Sequence, residues 1–80
     1  MDELAVSDLY ALSALRTKGV EPVRTAGDGR RVSWVFEESE ELRETLQAFY
    51  SRALAVDALS FSERVRAAKA EAMNLRAIPV

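Results

Sequence analysis

The 80-residue sequence contains no cysteine and no histidine. The first absence excludes disulfides and thiolate metal sites. The second removes the commonest transition-metal ligand and the commonest general base. Glycine and proline are scarce, at three and two. The glycines, Gly19, Gly27 and Gly29, fit neither a P-loop nor a dinucleotide-binding pattern. No apolar run approaches membrane-spanning length. The opening MDELAVSDLY is acidic where a signal peptide would be basic. These features lead to the expectation of a cytoplasmic protein. There is no basic excess either: 11 Lys and Arg stand against 13 Asp and Glu, for a net charge of −2. A broad nucleic-acid footprint normally shows such an excess.

What is present is an ordinary globular composition, 49% hydrophobic and 30% charged. The length predicts one small domain over residues 1–80. A chain this short buries a smaller fraction of its surface than a typical domain. Its apolar burial is offset by roughly 1.5 kcal/mol of ordering entropy per residue, which leaves a balance near zero. With no disulfide or thiolate site, tight packing or a partner must make up the difference.

Apolar residues at Leu9, Leu12 and Leu15 predict a first helix over residues 7–18, with Ser7 as its cap and Leu4 and Ala5 as a candidate extension. Gly19 supplies a left-handed stop. Residues 20–26 read as an edge strand broken by Pro22. Asp28-Gly29 is a two-residue hairpin signal, and residues 30–37 form the return strand. If Gly27 pairs with Arg30, then Val23, Thr25, Val32, Trp34 and Phe36 share the core side. Arg24, Arg31, Ser33 and Val35 then face outward.

Ser39 caps a second helix, with Glu40 and Glu41 in its first turn and a stripe of Leu42, Leu46, Phe49 and Ala53. Residues 52–56 break that pattern and read as a short extended segment. Asp57 caps a third helix whose stripe is Phe61, Val65, Ala68, Ala72 and Leu75. That spacing makes a seam for another helix, and its alanines allow close approach. The tail, residues 75–80, carries Leu75, Ile78 and Val80. The predicted class is α+β: helix, β-hairpin, helix, short strand, helix, with the hairpin covered by helices.

The ordered residues Asp8-Leu9-Tyr10, Lys18-Gly19, Gly29-Arg-Arg-Val32, Val35-Phe36-Glu37, Leu42-Arg43, Phe49-Tyr50 and Val56-Asp57 carry a resemblance. Over about residues 7–70 the chain resembles a family of short bacterial and phage domains catalogued as a domain of unknown function. The resemblance implies a gene of a phage, a mobile element or a bacterial locus. It brings no activity and no catalytic residues. Two departures stand out. Ser51-Arg52 sits where a turn with glycine is expected, which predicts a longer second helix, and Ser33-Trp34 replaces a more apolar pair.

The chemistry available is thin. Seven serines without histidine leave only a Ser–Lys arrangement, and Lys18 and Lys69 both fall on predicted helix surfaces. Glu37, Glu38, Glu40, Glu41 and Glu44 form a dense carboxylate cluster, but their position matches helix-dipole complementation and no ion-binding template. The sequence therefore predicts no enzyme, no cofactor, no metal and no small-molecule substrate.

Two binding surfaces remain. The first is a protein-docking or self-association ridge of Phe61, Val65, Ala68, Ala72, Leu75, Ile78 and Val80, together with the free edge of the return strand. The second, as an alternative, is a nucleic-acid patch of Arg24, Arg30, Arg31, Arg64 and Arg66. In both readings Trp34 is a core anchor rather than a reader of bases.

Overall fold

The computed structural model describes residues 2–27 and 31–77, without the side chains of Arg76 and Ala77. Its elements in chain order are β1 (Glu3–Val6), α1 (Leu9–Thr17), β2 (Arg24–Gly27), β3 (Val32–Glu37), α2 (Glu40–Tyr50) and α3 (Ala58–Ala77). The class is α+β, as the sequence predicts. One detail differs. The third strand comes from the N-terminus, not from residues 52–56, which form neither helix nor strand.

β1 pairs antiparallel with β3, so the sheet order is β1-β3-β2. Leu4 and Ala5 thus belong to a strand and do not extend α1. Leu4 lies opposite Phe36 and Val6 opposite Trp34, which brings both apolar side chains to the face that bears the core. The edge of β3 that the sequence leaves open for a partner strand is closed from within the chain.

Asp8, not Ser7, caps α1. Its carboxylate accepts hydrogen bonds from the backbone N–H groups of Tyr10 at 2.8 Å and Ala11 at 3.3 Å. Ser7 instead lies with its hydroxyl 2.9 Å from that of Ser33 across the sheet. The helix stops where the sequence places the stop. Gly19 takes φ +85°, Val20 N–H donates to Leu15 C=O at 2.9 Å, and Gly19 N–H donates to Arg16 C=O at 3.0 Å. This pair of bonds is the Schellman arrangement.

α2 ends in the same way without a glycine. Arg52 takes φ +62°, Ala53 N–H donates to Ala48 C=O at 2.8 Å, and Arg52 N–H to Phe49 C=O at 3.1 Å. The helix therefore does not run on past Tyr50. An arginine is held in the conformation that glycine adopts without strain.

β2 pairs with β3 in the register Gly27↔Val32, Thr25↔Trp34 and Arg24↔Val35. This is two residues away from the predicted Gly27–Arg30 pairing. A two-residue shift preserves side-chain alternation, so Val32, Trp34 and Phe36 still share the buried face. The Asp28-Gly29 turn and Arg30 lie outside the described residues. Val23 and Thr25, expected in the core, are exposed. The helices pack on β1 and β3 and make no extended contact with β2.

The core joins Val6, Ala11, Leu12, Leu15, Val32, Trp34, Phe36, Leu42, Ala68 and Ala72. α1 is its centre: it packs against both α2 and α3, which have no extended contact with each other. On the sheet's other face, Arg24 makes two hydrogen bonds of 2.6 Å to the Glu3 carboxylate. This pair straddles β3 beside Val35, which is buried although it points away from the helices.

Candidate protein-binding surfaces

The predicted ridge on α3 proves to be a seam inside the molecule. Val65, Ala68 and Ala72 are buried, and α3 packs along α1. Ala68 and Ala72 belong to the same core as Ala11, Leu12 and Leu15. The sequence spacing is right for a helix partner, and that partner is α1. At the two ends of the seam, Phe61 is half-buried and Leu75 packs against the core. The Phe61 ring stacks on Tyr10 with centroids 6.4 Å apart and planes at 24°. Ile78 and Val80 lie outside the described residues. Val65, Ala68 and Ala72, being buried, are not available for docking.

Among the described residues, the arginines do not form one patch. Arg24 and Arg31 lie on the sheet side away from the helices, with Arg24 bound to Glu3. That contact holds Arg24 above its ordinary pKa and Glu3 below its own, in each case chiefly through the hydrogen bonds between them. Arg64 and Arg66 are exposed on α3, on the helical side of the sheet. Arg30 lies outside the described residues. The sheet thus separates the two halves of the proposed nucleic-acid surface.

Trp34 is fully buried, with one polar contact that the sequence does not announce. Its indole Nε1–H donates to Glu71 Oε1 at 2.8 Å, and Arg16 Nη1 donates to Glu71 Oε2 at 3.2 Å. Desolvation pushes the Glu71 pKa up, but the bonds from Trp34 and Arg16 outweigh it and the carboxyl stays below its ordinary value. Arg16 Nε lies 3.5 Å from Glu21 Oε1 as an ion pair, and among the described residues it has no hydrogen-bond partner. The network ties α1, β3 and α3 together.

A cleft of about 760 Å³ opens between the end of α1 and the start of α3. Its charged lining is balanced, with Lys18 and Arg64 against Asp57 and Glu63. Asp57 already accepts the Ser60 backbone N–H at 2.9 Å, and that bond is the main reason its pKa is lowered. The helix N-terminus in the cleft is thereby occupied by the chain's own carboxylate. Among the described residues, no three Asp or Glu side chains gather in a way that could hold a metal ion.

The surface that the sequence reading passes over is the outer side of α3. Leu59, Arg66 and Met73 recur every seven residues, so they lie along one line of the helix. Leu59 is 65% exposed and Met73 69%. Lys69 borders the line and is exposed as well. Their seven-residue spacing is visible in the sequence, but the stronger inner stripe conceals it.

No curated protein and no solved structure matches the chain. A family model does: the one described as Domain of unknown function (DUF5659) matches residues 1–74, and the chain belongs to that family.

Proposed function

We propose that this domain is a non-enzymatic protein-binding adaptor or modulator that docks through the outer face of α3. The observation that carries this reading is the exposure of Leu59 and Met73 on either side of Arg66. Large apolar side chains around an arginine match the composition of interface cores, where Met and Arg are enriched. The inner face of the same helix is spent on the fold, so the outer face alone is open along its length. The lack of histidine and cysteine supports a binding role over a catalytic one. The resemblance to short bacterial and phage domains supports a phage or mobile-element gene.

Co-expression with the products of neighbouring genes, followed by affinity capture, tests the reading. A specific partner is expected to bind the wild type and R24E, and to be lost with L59S/M73S. Capture that is indifferent to L59S/M73S, or lost equally with R24E, would place the binding surface elsewhere.

A further inference from the structure

The two outer helices carry opposite charge. α2 bears Glu40, Glu41 and Glu44 against a single Arg43, and that arginine is drawn 3.2 Å from Glu38, outside the helix. α3 bears Arg66 and Lys69 along its outer line, while Glu63 and Arg64 line the cleft beside Asp57. Glu71 is turned inward to Trp34 and Arg16, so it does little to offset the outer cations. α1 packs against both α2 and α3, which make no extended contact with each other, so the acidic and basic helices stand on different sides of α1.

Each flank also presents exposed apolar surface. On α3 it is Leu59 and Met73; on α2 it is Tyr50, 62% exposed and edge-on to Phe49 at 5.1 Å. Glu40 and Glu44 are four residues apart, so they sit one above the other on the outer side of α2. The line of Leu59, Arg66 and Met73 bordered by Lys69 on α3 is matched in charge by the Glu40–Glu44 pair on α2, with Tyr50 exposed to one side of that pair.

We infer that the partner of the α3 face is the α2 face of a second copy of this chain. The inference rests on the protein-binding reading above and names the partner. The two surfaces are different and lie on different sides of α1, so the contact is head-to-tail and can propagate from copy to copy. Individual surface ion pairs contribute little and are screened by salt. The assembly is therefore weak, dependent on concentration and loosened by salt.

Sedimentation velocity with charge-reversed variants tests this. E40K/E44K makes both flanks basic, and R66E/K69E makes both acidic, so each variant alone is expected to stay monomeric. Mixed in equal amounts they present complementary flanks again, and association is expected to return. R24E/R31E, which changes net charge by as much as R66E/K69E but on the sheet face away from the helices, is expected to associate like the wild type. Circular dichroism establishes that each variant keeps its helices. A monomeric wild type at millimolar concentration and low salt overturns the inference. So does equal association by R66E/K69E and the wild type, or a monomeric wild type that instead retains duplex DNA through Arg66 and Lys69. If the wild type is monomeric yet L59S/M73S abolishes capture of a neighbouring gene product, self-association fails while the protein-binding reading stands.

Discussion

The indole Nε1–H of Trp34 and the carboxylate of Glu71 meet at 2.8 Å, joining the central strand to the third helix. A fully buried tryptophan needs a partner for its one donor. Here that partner is an acid with its own contact to Arg16, 3.2 Å away. Removing the acid leaves a buried N–H unsatisfied, which is more damaging than the gain from the bond itself.

This contact sets a pH dependence. The Glu71 carboxyl sits below its ordinary value of 4.5 in the folded protein. Its contribution is therefore fully present above that value and fades as pH falls through the depressed folded pKa. E71Q keeps an acceptor for Trp34 but cannot titrate. Acid unfolding followed by tryptophan fluorescence is expected to show a shallower loss of stability below the ordinary carboxylate pKa in E71Q than in the wild type. Parallel acid limbs would show that the contact does not contribute.

The two helix ends give a matched pair of substitutions. R52G relieves an arginine held at φ +62° and is expected to stabilise by up to about 1 kcal/mol, the left-handed penalty less the entropy that glycine adds to the unfolded chain. G19A places a Cβ at φ +85°, where no atom lies within 4 Å, so its expected loss of about 1 kcal/mol is conformational alone. Urea midpoints moving in opposite directions are the expected result.

The seam between α1 and α3 can be tested by overfilling it. A68L and A72L force bulk between packed helices and are expected to destabilise by roughly 1–3 kcal/mol. A70L, on the exposed side of the same helix, is expected to fall within about 0.5 kcal/mol of the wild type. Equal tolerance at positions 68 and 70 would contradict the packing of this helix.

The first strand depends on a partner distant in sequence, β3. Removing residues 1–6 strips β3 of one partner and exposes an unpaired sheet edge beside Trp34 and Phe36. Lost cooperativity in thermal unfolding and a tendency to aggregate are the expected consequences. A truncated chain that melts like the full one would mean that the strand is dispensable.

Some of this architecture is legible in the sequence because it is encoded locally. Ser39 and Asp57 are caps that act within three residues, and Gly19 acts within one turn. Trp34 reads correctly as core because strand alternation survives the two-residue change in register. Residues 3–6 are harder, since Leu4 and Val6 suit a strand only once β3 is known to lie beside them. Val65, Ala68 and Ala72 show by their spacing that a helix must cover them. Spacing alone does not say whether that helix belongs to the same chain. The Glu71 partner of Trp34 is 37 residues away and leaves no periodic trace.

The central claim is that α3 is used twice, its inner stripe to close the fold and its outer line to bind. Sedimentation equilibrium of L59S/M73S beside the wild type, at low salt over rising concentration, tests it most directly. The wild type is expected to show an average mass that climbs with concentration, while the variant holds the monomer mass with its helices intact. Superimposable mass curves for the two proteins would contradict the claim.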